Sequence, residues 1–250
     1  MALGVCVRRS IALPILCGAL LAAGPVAAAE TPVVVELFTA QGCSGCPAAN
    51  QSVVRIAAQD PQVVVLTYGV DYWDYLGWSD TFARPEFSQR QRAYRQALGL
   101  RSLATPQVVI SGQKSVTQTR QADLMAAIAD HSKQDIWPPE IEFRETGDRV
   151  GVGSGPAPQG GAEVVAVRYL PGVQTVVVRA GDNRGQSVSH INVVREIYSL
   201  GDWSGRPALY ALPEEATQAA RRGEAVLVML QSKVDRRIIS AAALPELRHD

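Results

Sequence analysis

Residues 32–47 read PVVVELFTAQGCSGCP, and this stretch decides the fold. Residues 32–38 are a β-branched apolar run of strand length, ended by the turn-prone segment 39–42. Cys43 and Cys46 follow in C-x-x-C spacing, with Pro47 directly behind them. Apolar residues at 49, 53, 56 and 57 then recur with helical spacing. A proline just inside a helix start suits that position, because the first N–H groups lack partners anyway. The cysteines are therefore expected at a helix N-terminus. Residues 63–68 (VVVLTY) read as a second buried strand, so strand, helix and strand predict a βαβ unit with parallel pairing.

Working outward, residues 71–82 (DYWDYLGWSDTF) hold five aromatic rings with no clean period and read as a long loop. Pro85 opens a helix-like stretch over 86–98 that stops at Gly99. Thr105-Pro106 leads into a short strand at 107–110, a turn at Ser111-Gly112, a partner strand at 114–117 and a helix over about 120–132. Trp137-Pro138-Pro139 breaks helix and sheet alike and marks a boundary. Beyond it, strand-like runs at 141–144, 149–152, 162–170, 175–179, 190–200, 225–231 and 237–242 alternate with Gly, Pro, Asn and Asp. The expectation is an α/β domain over 30–136, with an inserted aromatic loop and helix, followed by a smaller antiparallel, sandwich-like β domain over 137–250.

Composition narrows the function classes. Of 250 residues 47% are hydrophobic and 19% charged, with 24 basic against 24 acidic, which excludes disorder and collagen-like repeats. The charges are scattered and the pI is near 6.8, so no basic stripe suited to nucleic acid is expected. Residues 1–29 read as a secretory signal peptide: Arg8 and Arg9, an apolar run over 11–21, and Ala27-Ala28-Ala29 before Glu30. Pro14, Gly18 and Pro25 interrupt that run, which argues against a retained membrane span. Removing the leader takes Arg8 and Arg9 and leaves 22 basic residues against 24 acidic. It also takes Cys6 and Cys17, so the mature chain keeps Cys43 and Cys46 alone. A periplasmic or secreted location lets that pair form a persistent disulfide.

A C-x-x-C pair at a helix N-terminus has a chemical logic, because unpaired N–H groups and the helix dipole stabilise a thiolate at the first cysteine. Cys43 is the expected nucleophile and Cys46, one turn in, the resolving thiol that releases a mixed disulfide. Gly42 and Gly45 leave room for a partner sulfur. Two other readings share this spacing: an inert structural disulfide, and a soft-metal pair in which Cys43 and Cys46 hold copper(I). Structural zinc is disfavoured, since it takes four ligands and only His131, His190 and His249 remain, far apart in sequence. Ser44 reads as an N-cap or spacer, and His190 as a structural group.

Residues 38–47 resemble the strand-to-active-site turn of thioredoxin-like proteins, glutaredoxins in particular. Residues 105–110 (TPQVVI) resemble their second signature, in which a cis-proline faces the C-x-x-C. A closer resemblance is to exported bacterial proteins catalogued as domain of unknown function 1223. It is carried by residues 35–47 and 105–109, by Gly181-Asp182-Asn183, by 192–195 and by 200–205. The resemblance implies that Pro106 is cis and that the Thr105 backbone faces Cys43, where it pairs with an extended substrate. It also implies a thiol–disulfide oxidoreductase acting on protein or peptide thiols, with no cofactor beyond its own dithiol. Two departures stand out. Gly42 replaces the tryptophan of thioredoxins, and Glu36, the candidate proton-transfer acid, lies one residue further from the first cysteine, an offset that turns a strand side chain to the other face. Trp73 and Trp78 in the aromatic loop are expected either to wall the substrate groove beside Gly42 and Thr105 or to pack the two domains together.

Overall fold

The computed structural model describes residues 31–117, 119–132 and 138–245, together with Met1. The expected signal peptide and Trp137 lie outside the described residues. The first half follows the sequence pattern: β1 (Val33–Thr39), α1 (Cys46–Gln59), β2 (Val63–Gly69), α2 (Pro85–Ala97), β3 (Gln107–Ile110), β4 (Lys114–Val116) and α3 (Gln121–His131). β1 and β2 pair in parallel, and β3 runs antiparallel to both β1 and β4. Residues 71–82 contain a single turn of 3-10 helix at Asp74–Leu76.

The second half comprises β5 (Ile141–Phe143), β6 (Arg149–Val152), β7 (Ala162–Val177), β8 (Ser187–Trp203), β9 (Ala208–Ala211), the one-turn α4 (Glu214–Thr217), β10 (Ala225–Ser232) and β11 (Ile238–Ala243). The runs expected at 162–170 and 175–179 are one long strand, because Gly172 at φ +75° and a register shift carry the β7–β8 ladder across the break.

The stretches expected as an α/β domain over 30–136 and a β domain over 137–250 share one sheet. β11, β10, β7 and β8 continue the first sheet, giving eight strands in the order β11-β10-β7-β8-β2-β1-β3-β4. The seam is short, a single parallel pair at Thr67 and Val193. Side chains reinforce it, Thr67 Oγ1 donating to Ile191 O (2.6 Å) and Asn192 Nδ2 to Val65 O (2.9 Å). The sheet also curls until its far parts meet, with Ile238 N–H donating to Ser111 O at 2.8 Å. Only β5, β6 and β9 form a second, three-stranded sheet.

Three apolar layers hold this together. Val35, Leu37, Val63, Val65, Val108 and Ile110 face α1 and α3. The alternate residues Val34, Phe38, Leu66, Tyr68 and Val109 face inward, where α2 contributes Phe87 and Tyr94, and where β7 and β10 add Val165, Val167, Leu227 and Met229. The other face of β7 and β10 packs under the small sheet through Val164, Val228, Val150 and Tyr210. With both faces covered, the central strands read as unbroken apolar runs.

Candidate active site around the Cys43–Cys46 disulfide

The turn after β1 places Cys43 two residues before the N-cap of α1, which is Gly45 rather than Ser44, and Cys46 in the first turn with Pro47 beside it. The cysteines form a disulfide with Cα atoms 5.4 Å apart. Cys46 N–H donates to Cys43 O (3.1 Å) and Ala40 N–H points at Cys46 Sγ (3.5 Å). The Thr105–Pro106 peptide is cis, and Thr105 O lies 3.7 Å from Cys43 Sγ. Pro106 Cδ would stand 3.5 Å from a Cβ on Gly45. The two sequence signatures thus meet across the turn.

The Thr105 segment is braced from α2. Tyr72 donates its hydroxyl to Gln91 Oε1 (2.9 Å) and its oxygen takes the Thr105 hydroxyl. Gln91 Nε2 donates to Ala104 O and Gln107 Oε1, both at 2.9 Å. Burial raises the Tyr72 phenol above its ordinary range. These contacts pass through Gln91, which shares a buried helical face with Phe87, Arg90 and Tyr94.

The aromatic loop closes on the turn through Gln41. Trp78 Nε1 donates to Gln41 Oε1 (2.8 Å), Gln41 Nε2 donates to Thr81 Oγ1 (2.8 Å), and Gln41 N–H donates to the buried Asp80 carboxylate (2.6 Å). Desolvation pushes the Asp80 carboxyl up to about 6, against bonds from the Gln41 and Phe82 N–H groups that favour its ionised form. Trp73 packs half-buried on the cluster that contains both cysteines, and its ring stacks on Tyr75, which is 77% exposed. Trp78 is thus a clamp on the turn, and Trp73 with Tyr75 is the part of the loop that offers surface.

Glu36 is fully buried on the inward face of β1, where Arg90 Nε donates to its carboxylate at 2.7 Å and the Tyr94 hydroxyl donates to the other oxygen. Arg90 also donates to Gln231 Oε1 (3.1 Å) and Tyr94 OH (3.0 Å). No hydrogen bond joins Glu36 to either cysteine among the described residues. Its partners are both on α2, and through Arg90 and Tyr94, which bond Gln231 of β10, the network ties the two halves of the molecule together.

The turn is less open than the glycines suggest. Cys43 is only 1% exposed, although Ser44 and Gly45 next to it lie in water. The tip of the β7–β8 hairpin is bonded to the backbone of this turn: Asp182 N–H donates to Gly42 O (3.3 Å), and Asn183 Nδ2 donates to Gln41 O (2.8 Å) and Cys43 O (2.7 Å). Asn183, Gln41, Asp80 and Tyr72 were not legible as site residues from local sequence, because each acts on a segment at least 33 residues away. The buried spacing Phe87, Arg90, Gln91, Tyr94 was a readable signal of a helix carrying polar groups inward. His190 is buried against Phe82 with neither ring nitrogen partnered, and burial lowers it to about 4. No group of three His, Cys, Asp or Glu suited to a metal ion occurs among the described residues.

Comparison with known proteins follows the same outline. A family model described as protein of unknown function (DUF1223) matches residues 34–231. A crystal structure of an Agrobacterium tumefaciens protein is 31% identical, with a TM-score of 0.70 over 89% of this chain and 98% of that one. HBP35 of Porphyromonas gingivalis is 15% identical and shares the fold, with a TM-score of 0.56 over 88% of this chain and 76% of that one. No curated protein matches.

Proposed function

We propose, for a chain that belongs to the DUF1223 family, that the Cys43–Cys46 pair of a thioredoxin-like half is the redox centre of an exported thiol–disulfide oxidoreductase. The observation that carries this reading is the disulfide at the start of α1 with the cis Thr105–Pro106 carbonyl 3.7 Å from Cys43 Sγ. In the oxidised state a partner thiolate attacks Cys43 Sγ, the Cys43–Cys46 bond breaks and Cys46 leaves as a thiolate favoured by the α1 N-terminus. A second partner thiol then attacks the partner sulfur of the mixed disulfide, releasing Cys43 and leaving two electrons and two protons on the pair. The reverse sequence reduces a partner disulfide, with Cys46 resolving. The dithiol itself is the redox group, and partners are protein or peptide thiols in a periplasmic or secreted setting.

The near-complete burial of Cys43 favours a second reading, a fixed structural disulfide. The reduction potential of the pair against glutathione separates the two, with Cys43→Ser as the control that must not exchange. A value of about −120 to −270 mV is expected for the oxidoreductase, and a value below about −300 mV overturns it in favour of the structural bond.

A further inference from the structure

β7 and β8 run on past the sheet as a two-stranded arm, pairing from Val173 and Ile191 out to Val177 and Ser187. The arm's tip is rigid in itself, with Val178 N–H on Gln186 O (3.0 Å), Gly185 N–H on Val178 O (2.8 Å) and Gln186 N–H on Asn183 O (2.9 Å). Asp182, Arg184, Gly185 and Gln186 are exposed, as expected of a hairpin tip, whereas Asn183 between them is 1% exposed. Its two Nδ2 hydrogens are both committed, and both acceptors lie in the cysteine turn. Gly181, at φ +76°, brings the arm so close that a Cβ there would stand 3.4 Å from Gly42 Cα.

Cys43 is buried at the edge of the apolar core, beside solvent-exposed Ser44 and Gly45, and the arm tip lies on the backbone to either side of it. Of the segments around it, the Thr105 strand start is braced by Tyr72 and Gln91 against α2, and the Gln41 side by Asp80, Trp78 and Thr81. Among the described residues the arm tip is bonded to the turn by three hydrogen bonds, from Asp182 and Asn183, beside the packing of Gly181 on Gly42. Residues 181–184 belong to no strand, so they can lift from the turn while Val178, Val188 and His190 below them stay buried.

We propose that the tip at 181–184 is a cap on the redox pair with Asn183 as its latch, so that the arm selects partners: a thiol reaches Cys43 only where its carrier displaces the tip. This rests on reading the pair as a redox centre. Asn183 is a positioning residue, acting on Cys43 through the turn carbonyls. The latch bonds run to backbone carbonyls and not to sulfur, so they serve the disulfide and the dithiol alike, and the cap governs the rate of exchange more than the position of equilibrium.

The test is reduction of the intact protein by dithiothreitol, followed by alkylation of the freed thiols. One reductant thiolate attacks Cys43 Sγ and displaces Cys46, and its second thiol closes the cyclic disulfide, transferring two electrons and two protons to the pair. Asn183→Ala should be reduced at least tenfold faster than the parent while its equilibrium with glutathione shifts less than threefold. Val177→Ser, on the exposed face of the arm, should match the parent. A folded Asn183→Ala protein reduced within twofold of the parent overturns the cap. The parent alone gives a second measure. A second-order constant at least a hundredfold below that of the urea-unfolded chain supports the cap, and one within tenfold of it overturns it. A potential below the range of redox proteins, with Asn183→Ala still faster, would remove the oxidoreductase and leave the cap standing. A potential inside that range with no acceleration removes the cap alone.

Discussion

Replacing Arg90 by Met tests the tie between the halves most directly. Arg90 is 5% exposed at its side chain and Glu36 not at all, and the guanidinium spans β1, α2 and β10 by bonding Glu36, Tyr94 and Gln231. Met restores the volume but leaves a buried carboxylate with only the Tyr94 hydroxyl. Breaking a buried pair from one side costs about 3–5 kcal/mol. For a chain of this size each kcal/mol moves the melting temperature by about 2–4 °C, so the drop should be roughly 6–20 °C. Glu36→Gln combined with Arg90→Met removes both charges and should recover most of the loss. Thermal and urea unfolding of the parent, the two single variants and the double variant, at pH 7, gives the coupling between the residues. A loss under about 1 kcal/mol for Arg90→Met, or a double variant as unstable as the sum of the singles, would refute the account of Glu36 as a structural anchor.

Asp80 should give a pH signature. Its native carboxyl holds a proton up to about pH 6, whereas the unfolded chain releases it near 3.9. This group therefore favours the fold on the acid side: its contribution grows by about 3 kcal/mol as pH falls from above 6 to below about 4, and it is lost as pH rises through 6. Asp80→Asn should flatten that part of the profile in urea melts at pH 7.5 and 4.5, and an unchanged difference from the parent would count against it. Gly112 has φ +71° and a Cβ there would collide with the backbone carbonyl of Arg236, so Gly112→Ala should cost about 2–4 kcal/mol by strain and by prising β3–β4 from the β10–β11 turn; a neutral melt would show the contact to be loose. Tyr72→Phe removes one hydroxyl between Gln91 and Thr105 and should cost about 1 kcal/mol in urea unfolding, with no change meaning that the brace carries no strain.

The first half was legible because its information is local. Residues 33–39 and 63–69 are strand-length apolar runs, Pro47 and Pro85 stand at helix starts, and the C-x-x-C and Thr-Pro segments each fit one short turn. The second half was legible as strands but not as a place. Val164 and Val165 look alike in sequence, yet one faces the small sheet and the other the interior shared with Tyr68 and Phe38. Nothing in the run at 190–200 states that Val193 will pair with Thr67. The same holds for the site. Cys43 and Cys46 announce themselves, but Asn183 reads as an ordinary turn residue until the arm carries it 140 residues back to the Cys43 carbonyl.

The curled sheet sets an order of assembly. α2 lies between strands from both ends of the chain, and the bond from Gln231 to Tyr94 joins residues 137 apart. Until β10 and β11 arrive, Phe38, Tyr68 and Phe87 form a half-covered apolar wall, and Arg90 and Tyr94 lack their partner Gln231. Contacts of such separation carry a large loop-closure entropy and are made late. Synthesis of the first half alone therefore yields a sticky intermediate and not a finished domain, and the commitment to the native state waits for β10 and β11.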